Sequence, residues 1–214
     1  MSIEYAVQPA PEGIAQAFII GEEFIGQSPC ALILGDNLFF GNNLQSHLKS
    51  AVESTTGATL FGYTVKDPFR YGIAEFDENR NIIGIDEKPT HPKSNIAITG
   101  LYFYDNNVVE IAKSIEPSAR RELEISAVNN VYLDNCNAKL TEFGRGMTWF
   151  DAGTPDSLMD ASEYVKVVQN RQGIVMACPE EIAWRNFWIS RDQLEFLANQ
   201  YGNSDFRSYL LSLK

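Results

Sequence analysis

The stretch CALILGDNLFFG, residues 30–41, decides how the rest of this chain is read. Its apolar run Ala31-Leu32-Ile33-Leu34 is cut off by Gly35-Asp36-Asn37, the pattern of a buried parallel strand delivering a carboxylate at its carboxyl end. Open α/β sheets bind ligands at that end of their strands, so Asp36 is expected in a crevice. Without a basic neighbour in sequence, such a carboxylate suits a hard cation such as Mg2+ bridging substrate phosphates. Taken alone, the same three residues also read as an ordinary strand-ending turn, because Gly, Asp and Asn all favour turns.

Working outward, residues 3–8 (IEYAVQ) read as a strand, 9–13 (PAPEG) as a loop and 14–24 as a helix. With the strand at 30–34, the chain is expected to open on a βαβ unit. Downstream, the patterning predicts a helix over 43–54, a strand over 59–65, a loop over 67–72 and a hairpin of 73–76 with 82–87. A strongly buried strand over 96–104, helices over 106–115 and 122–132 and a short strand over 139–143 follow. TWFDAGT, residues 148–154, repeats the opening theme of aromatic strand, carboxylate and glycine turn. After it the character changes. Pro155-Asp156-Ser157 reads as a helix start with Pro155 just ahead of the cap, and 158–172 has helical periodicity up to Gly173. Residues 179–189, 190–201 and 203–213 read as three more short amphipathic helices. The expected fold class is α/β: a truncated doubly wound mixed sheet over 1–154 with a helical appendage over 155–214.

The composition narrows the function. With 214 residues, 44% of them hydrophobic and 21% charged, the chain can bury a core without staples. A net charge of −11 speaks against a nucleic-acid surface, which needs clustered Lys and Arg. A single bound nucleotide needs only a local site and a metal. Cys30, Cys136 and Cys178 are far apart and form no CxxC pair, so reduced thiols in a cytoplasmic protein are expected. Only His47 and His91 are present, which makes a His-based triad or a multi-His metal site a poor reading. No leader-like segment follows Met1 and no apolar run approaches a membrane span, so no membrane partner is expected.

The chemistry concentrates at strand ends. Asp36 and Asp151, each beside glycine, are expected to converge on one Mg2+, whose octahedral shell phosphate oxygens and water would complete. Glu87-Lys88-Pro89 sets an acceptor beside a cation: Lys88 suits a phosphate and Glu87 suits hydroxyls, although an exposed charge pair is the blander reading.

Together, Gln8-Pro-Ala-Pro-Glu-Gly13-Ile-Ala-Gln-Ala, Leu34-Gly-Asp36-Asn, Arg70-Tyr71-Gly72, Glu87-Lys88-Pro89, Thr99-Gly-Leu-Tyr-Phe-Tyr-Asp105 and Trp149-Phe-Asp151-Ala-Gly-Thr154 resemble the glucose-1-phosphate thymidylyltransferases. The likeness runs over essentially all 214 residues. It implies a sheet of the nucleotide-diphospho-sugar transferase type and a Mg2+-dependent transfer of dTMP from dTTP to glucose-1-phosphate, giving dTDP-glucose and pyrophosphate for dTDP-rhamnose and deoxysugar synthesis. Carried over residue by residue, it implies that Asp36 and Asp151 bind the metal, and with Lys88 form the catalytic set. Gln8, Pro11 and Gly13 would frame the thymine. Tyr71, Gly72, Glu87, Ile98 and Trp149 would line the glucose pocket, with Lys88 on the sugar phosphate. Arg145, Glu181 and Arg185 match a regulatory site for dTDP-rhamnose.

The departures carry expectations too. The family's glycine-rich G-x-G-T-R-L loop and the lysine after it do not occur here, so this chain alone is expected to be inactive or nearly so. Arg121 and Ala127 stand where the family has Gly and Asp, and Ala152 replaces the usual Thr. An uncovered sheet edge would favour a homo-oligomer. The competing readings are a non-catalytic sugar-nucleotide-binding or assembly protein of the same family, and a pyrophosphorylase for another base or sugar.

Overall fold

The computed structural model describes residues 2–54 and 56–214; Met1 and Thr55 lie outside the described residues. The chain divides into two compact units, Met1–Gly153 and Thr154–Lys214.

In the first unit the elements run α1 (Gln16–Ile20), α2 (Glu22–Ile25), β1 (Cys30–Ile33), β2 (Asn37–Gly41), α3 (Leu44–Glu53), β3 (Ala58–Thr64), a 3-10 turn (Pro68–Arg70), β4 (Gly72–Phe76), β5 (Ile82–Glu87), β6 (Ile96–Tyr104), α4 (Val108–Ser114), α5 (Ile125–Asp134), β7 (Ala138–Glu142) and β8 (Met147–Asp151). The mixed α/β class expected from the sequence is what forms. A six-stranded mixed sheet has the order β5-β4-β6-β3-β7, with β1 also paired to β6, and β2 with β8 makes a separate two-stranded ribbon. The β3·β7 pair is parallel and the other described pairs are antiparallel.

β6 is the axis of the sheet. Its run IAITGLYFY is buried almost throughout, because both of its faces are covered. Ile96, Ile98, Tyr102 and Tyr104 face one core, shared with Phe18 of α1, Val108 and Ala112 of α4 and Val128 and Tyr132 of α5. Leu101 faces another, where Phe61 stacks on Phe143 with ring centroids 5.0 Å apart.

The opening of the chain departs from expectation in three ways. Residues 3–8 form no strand: Ile3, Tyr5 and Val7 keep the period-2 spacing but are 64, 93 and 85% exposed, since no neighbouring strand takes their backbone groups among the described residues. The helix expected over 14–24 is two short ones, α1 and α2, interrupted at Gly21 (φ −87°, ψ 8°). β1 is neither parallel nor fully buried, so the βαβ unit is not formed. It runs antiparallel to β6, with Cys30 and Leu32 half-buried and Ala31 and Ile33 exposed. An apolar run specifies that a strand packs, not the sense in which it pairs. β2 was not foreseen at all, because Gly35-Asp36-Asn37 reads as a terminus rather than as a corner between strands.

The second unit is helical: α6 (Pro155–Gln172), α7 (Pro179–Arg185), α8 (Arg191–Asn199) and α9 (Asp205–Ser212). α6 is capped by Thr154, whose hydroxyl accepts from Ser157 N at 3.2 Å, so Pro155 is the first helical residue rather than a residue ahead of the cap. α6 closes at Gly173, φ +64°. Cys178, Leu194, Ala198, Leu210 and Leu213 form this unit's core, and the Arg191 guanidinium donates to the carbonyls of Leu213 (2.6 Å) and Leu211 (2.9 Å) at the chain end.

Candidate active site

β3 pairs with β6 along its length, so two other strands share the opposite edge of β6: β1 beside residues 101–104 and β4 at Ala97. Between them, at Ile98 to Gly100, the sheet is split. A groove of about 260 Å³ opens there. Divergence of neighbouring strands is how α/β sheets make ligand crevices.

The groove collects Asp36 and Asp151 although 115 residues separate them in the chain. The β2·β8 ladder sets Asn37 opposite Asp151, and Ala152 N donates to the Asp36 carbonyl at 2.8 Å. That last bond is made by backbone, so Ala152 serves without the hydroxyl of the expected Thr. Both carboxylates reach over Gly153: Asp151 Oδ1 and Asp36 Oδ2 each lie 3.2 Å from where a Cβ on Gly153 would stand. The two oxygens are therefore separated by no more than twice that distance. Asn37 Nδ2 donates to Asp36 Oδ1 (2.8 Å) and Gly153 N to Asp151 Oδ1 (3.3 Å), which restrains both carboxylates. The donor set is two hard oxygens around a space that only a glycine leaves open, and it fits a hard divalent cation completed by phosphate oxygens and water. Among the described residues no group of three or more His, Cys, Asp and Glu could hold a metal by itself. Asp151, unlike the expectation for Asp36 in sequence, has a basic neighbour in the fold: Arg70 Nη2 lies 3.8 Å from Asp151 Oδ2.

Tyr71, Gly72, Glu87, Lys88, Ile98 and Trp149 line the same groove. Gly72 stands opposite Glu87 in the β4·β5 ladder, and a Cβ there would come within 3.2 Å of Glu87 Oε2, so the small residue keeps that carboxylate accessible. The Tyr71 and Trp149 rings, 5.2 Å apart, form an apolar wall. Lys88 has φ +49°, a turn held by its N–H bond to the Tyr71 carbonyl (3.0 Å), and no ion pair within 4.0 Å engages its ammonium among the described residues. Burial pushes the Glu87 carboxyl up from its ordinary value near 4.5, and Glu124 adds to the rise; a Ser126 hydrogen bond, Arg120 (3.4 Å) and Lys88 pull the other way. The folded state thus holds this proton more tightly than the unfolded chain. Glu87 contributes stability below about pH 4.5 and loses it as pH rises through the raised folded value. Glu87→Gln is expected to gain stability relative to the parent over that window. Chemical unfolding of both chains from about pH 4 to about pH 7 checks it, and a constant difference between them would count against the assignment.

Gln8, Pro11 and Gly13 are not part of the groove lining; their neighbour Ile14 is. The Gln8 carboxamide is turned onto its own loop, donating to Gly13 O (3.2 Å) and Gln16 Oε1 (2.7 Å). Gly13 has a packing reason to be glycine: φ is +107°, and a Cβ would lie 2.4 Å from Leu123 backbone atoms. Gly13→Ala is expected to cost about 2–3 kcal/mol of folding stability, read as a lowered denaturation midpoint; an unchanged midpoint would refute it. Arg121, where the resemblance has glycine, takes φ +64°, which explains that preference. Of the residues matched to a regulatory site, Arg145 lies between β7 and β8 in the first unit. Glu181 and Arg185 are ion-paired at 2.7 Å on α7 in the second.

Several groove residues received no role from the sequence. Asn37 accepts from Trp149 Nε1 (2.7 Å) and Gly100 N (3.0 Å) and so pins β2, β6 and β8 together. Ser126 and Asn129 of α5, with Tyr102 of β6, complete the floor. The available signal was two polar residues spaced three apart on the apolar stripe of Ile125 and Val128.

The family model described as nucleotidyl transferase matches residues 1–167 of this chain. The chain belongs to the glucose-1-phosphate thymidylyltransferase family. It is 53% identical over 213 residues to the glucose-1-phosphate thymidylyltransferase of Neisseria meningitidis serogroup A, covering 100% of this chain and 74% of that protein. It is 45% identical to the enzyme of the same name from Mycobacterium tuberculosis, again over 100% of this chain and 74% of the relative. Among solved structures, one assigned to these enzymes from Bacillus anthracis, in complex with a sucrose, superposes with a TM-score of 0.67 at 40% identity, over 75% of this chain and 64% of that one. A UDP-glucose pyrophosphorylase complexed with UDP-glucose, 23% identical, has the same fold (TM-score 0.66).

Proposed function

We propose that the groove is the sugar-phosphate and cation side of a glucose-1-phosphate thymidylyltransferase site. A phosphate oxygen of glucose-1-phosphate attacks the α-phosphorus of dTTP, dTDP-glucose forms and pyrophosphate leaves. The observation that carries this reading is the meeting of Asp36 and Asp151 over Gly153, in one groove with Glu87 and Lys88. Phosphoryl chemistry of this kind needs positioning and charge neutralisation rather than a covalent nucleophile. Asp36 and Asp151 would hold Mg2+, which would supply positive charge against the phosphate oxygens. Lys88 offers its ammonium to the sugar phosphate as a point charge. The Glu87 carboxylate accepts from sugar hydroxyls, Gly72 leaves the space for them, and Tyr71, Trp149 and Ile98 shield the pocket from water. Gln8, Pro11 and Gly13 frame the thymine, the Gln8 carboxamide exchanging its Gln16 contact for the base edge. The reaction this implies is cytoplasmic and serves dTDP-rhamnose or related deoxysugar synthesis.

Calorimetric titration with glucose-1-phosphate at saturating Mg2+ tests the reading. One-to-one binding is expected, weakened about tenfold or more by Lys88→Ala. No binding by the unaltered chain would sink it. Competition between dTTP and UTP decides the base. The outer edge of β1 carries no strand among the described residues and Ile33 is 59% exposed, which supports self-association of the chain; light scattering that shows a stable monomer argues against it.

A further inference from the structure

Asn129 lies on α5 at the floor of the groove, 1% exposed, and half of its carboxamide has no hydrogen-bond partner. Its Oδ1 accepts from the Tyr104 hydroxyl at 2.6 Å. Asn129 lines the groove and Tyr104 does not, and Nδ2, the other end of the carboxamide from the Tyr104 bond, is a buried donor without a partner. Turning the carboxamide by half a turn only exchanges the roles: Nδ2 would then donate to Tyr104 and Oδ1 would be the orphan. Nearly all buried polar side-chain atoms are hydrogen bonded, so an exception in a groove floor calls for a ligand. The other such atom among the described residues, Thr99 Oγ1, belongs to the opposite face of β6 from Ile98 and Gly100 and does not line the groove.

The surroundings specify the missing partner. Ser126, three residues earlier on α5, and Glu87 line the same groove, so Asn129 shares it with a carboxylate, and Ile85, Ile98, Ile125 and Tyr102 are among its other lining residues. An anionic group would be set against Glu87. A neutral hydroxyl, both donor and acceptor, satisfies whichever end of the carboxamide is free.

We propose that Asn129 is a specificity-determining residue of the groove: its free carboxamide end hydrogen bonds one ring hydroxyl of the sugar phosphate, and through it the groove distinguishes a hexose phosphate from the counterpart lacking that hydroxyl. This rests on reading the groove as a sugar-phosphate site.

The test is calorimetric titration, at one Mg2+ concentration, of the unaltered chain, Asn129→Leu and Asn129→Ser with glucose-1-phosphate and its 2-, 3-, 4- and 6-deoxy analogues. The unaltered chain is expected to bind one deoxy analogue about tenfold more weakly than the parent sugar, since the unpaired carboxamide end stays buried. Asn129→Leu is expected to lose about tenfold for glucose-1-phosphate and nothing for that analogue, so the discrimination disappears. Asn129→Ser, smaller and polar, reports the same loss where the leucine variant does not fold. Equal weakening for every ligand, or no weakening, overturns the proposal in favour of a purely structural role. An unaltered chain that binds all four analogues as well as the parent overturns it without any variant. One that does not bind glucose-1-phosphate at all overturns the sugar-phosphate reading, and this inference with it.

Discussion

Replacing Gly153 with alanine is expected to abolish Mg2+-dependent binding of glucose-1-phosphate while leaving the fold nearly intact. The new methyl would stand 3.2 Å from Asp151 Oδ1 and from Asp36 Oδ2, inside the space both carboxylates face. A divalent ion needs its oxygens at about 2.1 Å, and a carbon 3.2 Å from one oxygen of each aspartate would crowd an ion held by the pair. The backbone of Gly153 is not in the left-handed region, so alanine meets no conformational barrier and the stability change should stay under about 1 kcal/mol. Titration with Mn2+ followed by electron paramagnetic resonance, beside a thermal melt, separates the two effects. A drop in ion affinity of about a hundredfold or more with an unchanged melt is the expected result, because losing even a supporting group costs metal sites ten- to a hundredfold. An alanine variant that binds the ion normally would mean that the two aspartates do not share one.

Asn37→Ala is expected to damage both the fold and the site. One side-chain oxygen accepts from Trp149 Nε1 and from Gly100 N, while the amide nitrogen of the same group holds Asp36. Removing it leaves two largely buried donors unpaired, at a cost of about 1–3 kcal/mol each less whatever water recovers, so a loss of about 3 kcal/mol is expected from chemical denaturation. Trp149 also loses its anchor against Tyr71, and Asp36 its orientation. Ligand binding should therefore weaken further than stability alone accounts for, in experiments run well below the unfolding midpoint. A variant with parent-like stability and binding would show that Gly100 at the sheet split, not Asn37, organises the crevice. The geometry favours Asn37: a Cβ on Gly100 would lie 2.6 Å from its Oδ1, so the glycine is small because the asparagine is there.

Much of the groove's lining was legible from residue order. Strand β6, the β4·β5 hairpin and α3 follow from local patterns, because the apolar period and the turn chemistry of Asp77 are properties of neighbouring residues. The strand-end carboxylates and the Glu87-Lys88 pair were legible for the same reason, since each is a short break in an apolar run. The N-terminal strand failed because the alternation of Ile3, Tyr5 and Val7 offers a face that no described element takes.

By itself, then, the sequence determined which segments pack, where they end and which charged groups stand at those ends, since these depend on periodicity and turn preference over a few residues. Only the tertiary structure decided that β1 runs antiparallel, that β1 and β4 part beside Gly100, and that Asp36 and Asp151 each bring an oxygen near Gly153. It alone exposed the half-satisfied carboxamide of Asn129. Strand sense, the position of a split and the pairing of distant carboxylates are settled by hydrogen bonds and burial between segments far apart in the chain. Local propensity carries no information about those interactions.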